Sequence, residues 1–225
     1  MRIKFALIML TGMMLLGGAF AGAANADETG NQVFFRGGWA GMTSDRAGEA
    51  FTDTFGPAGI AGAGAPRNDG QSGYYVGAGL DLVLSKDVWG MMSKTWAIGE
   101  IGVEYKRFNS NTVIVPAATL ASGAVVTNQV QITMLTVDVA PKIKFLEGNR
   151  LRPWLIPVGL DFHVISPPSN ATTVLDIGVQ FGAGLEYRLY KAFHVGLDGR
   201  YHVSTDQTQT SNSFGTVGGY VGISF

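Results

Sequence analysis

The stretch LDGRYHVSTD, Leu197–Asp206, places His202 two residues before Ser204, with Arg200 and acids at 198 and 206 close by. A serine hydroxyl becomes a nucleophile when an imidazole takes its proton and a third group orients the imidazole. His202 and Ser204 are therefore the candidate catalytic pair, and the chemistry would be ester or amide hydrolysis. A second reading needs no chemistry. Residues two apart share one face of a β-strand, so Asp198, Arg200, His202 and Ser204 would simply point the same way. The element that carries them decides between the two.

That element is a strand, one of eight predicted by alternation of apolar and polar residues. In YYVGAGLDLVLS, Tyr74, Val76, Ala78, Leu80, Leu82 and Leu84 oppose a face that carries Asp81. In WAIGEIGVEYK, Ile101, Val103 and Tyr105 oppose Glu100, Glu104 and Lys106. In MLTVDVAPKIKF, Leu135, Val137, Val139, Ile143 and Phe145 oppose Asp138, Lys142 and Lys144. PWLIPVGLDFHV sets Trp154, Ile156, Val158, Leu160, Phe162 and Val164 against Pro157, Gly159, Asp161 and His163. DIGVQFGAGLEYRL sets Ile177, Val179, Phe181, Leu185, Tyr187 and Leu189 against Gln180, Glu186 and Arg188. FHVGLDGRYHV sets Phe193, Val195, Leu197, Tyr201 and Val203 against His194, Asp198, Arg200 and His202. The last strand, TVGGYVGISF, carries Val217, Val221, Ile223 and Phe225 on one side; the first, VFFRGGWAGM, alternates less cleanly.

Most of these runs reach ten residues or more. Strands of soluble domains commonly run about 5–6 residues, whereas a tilted strand crossing a bilayer needs about 9–11. The predicted fold is all-β: an eight-stranded antiparallel up-and-down transmembrane barrel. Its apolar face meets lipid. Its lumen holds a network of twelve charges: Asp81, Glu100, Glu104, Lys106, Asp138, Lys142, Lys144, Asp161, Glu186, Arg188, Asp198 and Arg200. The intervals 43–72, 109–127, 165–173 and 204–214 are long and alternate with shorter ones, as long outer loops alternate with short periplasmic turns. Aromatics gather toward both ends, Trp96, Phe145, Trp154, Tyr187, Phe193 and Phe225 at one and Trp39, Tyr74, Tyr105, Phe162 and Tyr201 at the other, which suits two interfacial girdles. Pro157 cannot donate to a ladder, so a bulge or break is expected there.

The ends and the composition agree with this reading. Residues 1–26 read as a signal peptide: Arg2 and Lys4, an apolar run from Phe5 to Phe20, then Ala24-Asn25-Ala26 before the cut. The domain after it is 27–225. Of 225 residues 46% are hydrophobic and only 15% charged, with 32 Gly and no Cys, so no disulfide is available. Without the leader, 14 basic residues face 17 acidic ones, and no basic block invites nucleic acid.

On these residues the chain resembles the small eight-stranded outer-membrane barrels, OmpA-like and OmpX-like. The C-terminal GGYVGISF matches the family's closing strand, which commonly ends in Phe after alternate apolar residues. The resemblance implies that Val221, Ile223 and Phe225 form an assembly signal read by the barrel-assembly machinery. It also implies an outer-membrane location amid lipid and lipopolysaccharide. A barrel of eight strands is only wide enough for side chains to fill, so the expected function is a non-enzymatic structural or surface-interaction role with the lumen plugged by ion pairs. An extracellular partner would bind through loop 43–72, whose GPAGIAGAGAPRNDG is rich in Gly, Ala and Pro. The alternatives are a small pore or hydrophobic-molecule conduit, as in OmpW-like barrels, and a lipid A deacylase. Deacylases of this architecture use a His-x-Ser motif in the penultimate strand, which Arg200, His202 and Ser204 resemble. Here Thr205 stands where the motif has Asn, and the pair falls on the lumen face. No cofactor is expected and no metal site: His163, His194 and His202 all face the lumen, but from the fifth and seventh strands and at different heights.

Overall fold

The computed structural model describes residues 30–43, 72–108, 111–115, 126–130, 133–166, 174–205 and 212–225. Residues 1–26, expected to be a signal peptide, nearly all of the interval 43–72 and most of the other three long intervals lie outside the described residues. The strands are β1 (Gln32–Met42), β2 (Ser72–Ser85), β3 (Trp96–Phe108), β4 (Asn111–Val115), β5 (Val126–Val130), β6 (Thr133–Lys144), β7 (Leu151–Ser166), β8 (Val174–Tyr190), β9 (Phe193–Ser204) and β10 (Phe214–Ser224). Among the described residues no helix is long and apolar enough to cross a membrane.

Eight strands close a barrel in the order β1-β10-β9-β8-β7-β6-β3-β2. Each pairs antiparallel with the next barrel strand along the chain, β3 with β6 past the excursion of β4 and β5, and the β1–β10 pair, from Gln32↔Ser224 to Met42↔Phe214, closes the ring. The remaining two strands, β4 and β5, form a separate two-stranded sheet. β4 lies inside the interval 109–127 and β5 begins at its end and continues to 130, so that predicted loop contains regular structure. Its alternation is too short to register as a strand of spanning length.

The period-two pattern decides what faces where. In β3, Ile101, Val103 and Tyr105 are exposed while Glu100, Glu104 and Lys106 are buried. The same alternation puts Leu135, Val137 and Val139 of β6, Ile177 and Phe181 of β8, and Leu197, Tyr201 and Val203 of β9 on the outside. The outer surface is thus apolar and the interior polar, the reverse of a soluble domain. Trp39, Tyr74, Tyr105, Phe162 and Tyr201 are exposed toward the long-loop end, and Tyr187 and Phe193 toward the short-turn end.

The strand β7 departs from the predicted parity. Its ladder with β8 shifts between Ile156 and Gly159, and that of β6 with β7 shifts between Val139 and Ile143. Pro157 and Val158 both face outward as a bulge, two residues opposite one. Below it the faces exchange: Arg152, Trp154 and Ile156 point inward and are buried, while Leu151 and Leu155 are exposed. Trp154 and Ile156 were expected on the outer face. A bulge flips every side chain on one side of it, and the missing N–H of Pro157 is what puts the bulge there.

Candidate functional site in the barrel interior

Strand register stacks the inward side chains in layers. Nearest the short turns, Lys144 Nζ contacts Glu186 at 3.1 Å, and Arg152 pairs with both Glu186 and Glu147. Tyr220 donates its hydroxyl to Glu186 and receives the Trp154 indole N–H, each at 3.1 Å. Beside this lies an apolar cluster of Phe34, Ala140, Trp154, Ile156 and Tyr220. Lys142 bridges Asp81 at 2.9 Å and Glu100 at 2.8 Å, and its ammonium sits 4.6 Å from the Trp154 ring centre, a cation–π contact.

The middle of the barrel is crossed by two guanidinium groups. Arg36 contacts Glu104 at 2.5 Å and Asp138 and Asp198 at 3.4 Å. Arg200 contacts Glu100 at 2.5 Å, Asp198 at 3.2 Å and Asp138 at 3.7 Å. Gln180 donates to Asp138 and accepts from Arg200; Tyr75 donates to Asp198. Lys106 holds Glu104 at 2.5 Å and donates to Thr136 at 2.8 Å. The contacts of Glu104 are ionic rather than aligned hydrogen bonds. Above this layer Ala40, Met42, Tyr75, Phe108, Met134, Ile165 and Phe214 form a second apolar cluster toward the long loops.

Eleven of the twelve anticipated network residues are buried here; Arg188 is the exception. It lies near the short-turn end, half-buried, and donates to the Gly148 carbonyl in an exposed bond. Arg188 is the last residue of β8 before the ladder with β9 shifts, and its side chain reaches the neighbouring turn rather than the lumen. Besides Glu147, the partner of Arg152, three charged participants escaped the sequence reading. Arg36 follows the doubled Phe34-Phe35, which blurs the alternation of β1. Arg152 lies below the bulge, where continuous parity would turn it outward. Asp176 shares the parity of Gln180, and that signal was available.

In the structure His202 and Ser204 face different partners. Both are buried inside the barrel. Ser204 donates its hydroxyl to Asp176, which also accepts from Thr205 at 2.9 Å and Asn212 at 3.1 Å. His202 instead directs Nδ1 at Asp161 Oδ2, 2.7 Å away, and stacks on Phe214 at 4.3 Å between ring centres. Each of the two is thus engaged with a different carboxylate. His163 and His202 were expected at different heights; their ladder partners on β8, Asp176 and Gln180, are indeed offset, yet their ring centres lie 6.1 Å apart over the intervening Gly178. His194 is remote from them, near the opposite end, bonded to Ser224 and Arg152.

With this geometry in hand, comparison with solved structures decides the fold. A crystal structure of neisserial surface protein A aligns with a TM-score of 0.54 at 13% identity, over 88% of this chain and 98% of that one. The fold is that of the small eight-stranded outer-membrane β-barrels. Two others of this architecture align with lower scores. They are the outer-membrane enzyme PagL, 0.46 at 14% identity over 87% and 99% of the two chains, and the N-terminal barrel domain of Pseudomonas aeruginosa OprF, 0.43 at 13% over 88% and 98%. No protein-family model and no characterised protein sequence matches the chain.

Proposed function

We propose that the protein is a non-enzymatic barrel of the bacterial outer membrane with a structural or surface-interaction role, its lumen closed by the ion-pair network. One observation carries the reading: Arg36 from β1 and Arg200 from β9 reach across the barrel to acids on β3, β6 and β9, with apolar clusters above and below them. A continuous water path would have to pass through these contacts. The exposed apolar outer face supports a lipid environment, since such a belt on a soluble monomer would be an aggregation surface. Residues 1–26 are then an export signal, lipid and lipopolysaccharide surround the belt, and the long-loop end, including 43–72, offers the surface for an extracellular partner.

The assembly role of Val221, Ile223 and Phe225 belongs to the same proposal. Ile223 is exposed on the outer face, and the Phe225 amide donates to the Asn31 carbonyl at 2.9 Å, fastening the end of the closing strand. The conduit alternative would use the wall at Pro157, where an apolar cleft of about 570 Å³ reaches from Trp39 and Phe181 on the outer face to Arg200. The irregularity at Pro157 is a bulge with ladder pairs on both sides, Ile156↔Gly182 and Gly159↔Gln180.

The test is fractionation of cells expressing the protein, with mass spectrometry of their lipid A. The protein is expected in the outer membrane, and a chain ending at Ser224 at reduced level there. Lipid A is expected unchanged by the wild type, by His202→Ala and by Ser204→Ala. A deacylated species that appears with the wild type and vanishes with Ser204→Ala would overturn the non-enzymatic reading.

A further inference from the structure

We infer that Asp161, His163 and His202 form a site for one first-row divalent cation of the zinc class, inside the barrel toward the long-loop end. The inference rests on the barrel reading only in placing the site in an enclosed lumen.

All three side chains are completely buried, and one ligand-capable atom of each lies within 4.8 Å of those of the other two. Each also keeps an atom without a hydrogen bond: Asp161 Oδ1, His163 Nε2 and His202 Nε2. A buried polar atom left unpaired is costly, and one of the three, His163 Nε2, already faces the carboxylate, 3.8 Å from Asp161 Oδ2. The nitrogen of His202 that faces the same carboxylate oxygen is Nδ1, while His163 uses its Nδ1 elsewhere. His163 Nδ1 lies 3.0 Å from Thr136 Oγ1, and His202 Nδ1 lies 2.7 Å from Asp161 Oδ2. With Nδ1 beside Thr136, His163 has Nε2 left for the site, which is how ligating histidines are held; at His202 an ion would take the place of the proton between Nδ1 and Asp161 Oδ2.

Charge points the same way. Among the described buried side chains, eight carboxylates face six Lys and Arg. Asp161 is paired by imidazole only, His202 at 2.7 Å and His163 at 3.8 Å. Lys106, the nearby ammonium, is engaged by Glu104 and Thr136. A divalent cation would balance the two excess negative charges.

Space is provided by a glycine. His163 and His202 stand on β7 and β9, with β8 between them. On β8 the inward position is Gly178, paired with Asp161 on one side and Ser204 on the other. A Cβ there would come within 3.1 Å of His163 Nε2, so a side chain would crowd the nitrogen the site needs. Two imidazoles and one carboxylate suit zinc, and nitrogen donors disfavour calcium and magnesium. Drawing the donors to the bond lengths of zinc, about 2.0–2.2 Å, needs side-chain shifts on the order of 1 Å.

The experiment is equilibrium dialysis of the detergent-folded barrel against Zn²⁺, with metal content read by mass spectrometry, and the visible spectrum with Co²⁺ as a geometric probe. One ion per barrel is expected, with the intense bands of a low-coordinate Co²⁺ site. His163→Gln and His202→Gln should each weaken binding more than the about 10–100-fold loss that follows removal of a supporting hydrogen bond, while His194→Gln binds as wild type. Should a variant fail to fold, the wild-type stoichiometry and Co²⁺ spectrum still decide. Sub-stoichiometric zinc, a purely octahedral Co²⁺ spectrum, or binding indifferent to His163→Gln in a folded barrel would overturn the site.

Discussion

Replacing Glu104 by Ala is expected to cost the barrel about 3–5 kcal/mol, the usual effect of removing one member of a buried ion pair. Glu104 is completely buried and touches both Arg36 and Lys106 at 2.5 Å. Its loss leaves two cations facing each other's layer without their nearest anion. Water in the vacated space would recover part of that loss, which places the expectation near the lower end. Arg188→Ala is the contrasting case. Its exposed bond to the Gly148 carbonyl makes it a surface substitution, for which about 0.5 kcal/mol in either direction is usual. Denaturant titration of the detergent-folded barrel, followed by tryptophan fluorescence and by the gel mobility of unboiled samples, reads both. Equal midpoints for Glu104→Ala and wild type would mean that the interior is hydrated and the ion pairs are weak.

Gly218→Val is expected to block barrel closure. Gly218 sits in the β1–β10 seam opposite Gly38 and next to Asp198 of β9. A Cβ there would collide with the Gly37 carbonyl and the Tyr75 hydroxyl. The hydroxyl can move only by giving up its 3.1 Å bond to Asp198, and the carbonyl belongs to the closing ladder and cannot move without opening it. Overpacking alone costs about 1–3 kcal/mol, and a buried acceptor stripped of its donor about 1–3 more. The fraction of heat-modifiable, folded protein after refolding in detergent should fall severely. Gly219→Ala, one residue on, is the control, since its Cβ meets only the Gly196 carbonyl at 3.4 Å and the end of Leu197. Equal yields from the two would show that the seam has slack the structure does not suggest.

The parts of this molecule that could be read from sequence are those written in local alternation. The strands β3, β6 and β9 carry charge on one face and bulky apolar residues on the other, so both their existence and their orientation followed. In β7 the same rule failed halfway, because one unpaired proline resets parity and pattern alone cannot say to which side of it the faces exchange. The interior charges were largely legible as a set but their pairings were not. Arg36 meets Glu104 over Gly77 of β2 and Asp198 across the β1–β10 closure, and nothing in the neighbourhood of either residue announces it. The same holds for the chemistry at the chain's most suggestive motif. His202 and Ser204 are two residues apart, yet their partners, Asp161 and Asp176, come from strands β7 and β8. That non-local choice separates a serine bound to a carboxylate from a catalytic pair, and brings His163 to His202 across a strand whose inward residue is glycine.

The central claim is that the interior is closed by paired side chains, and electrical conductance tests it most directly. Purified, folded protein would be inserted into a planar lipid bilayer and current recorded at a steady applied voltage. The account predicts a silent bilayer, with insertion verified by the heat-modifiable band recovered from the same preparation. Uniform, long-lived ohmic steps from the wild-type barrel would contradict it, since ions would then be passing through the layer held by Arg36, Arg200, Glu100, Glu104 and Asp138.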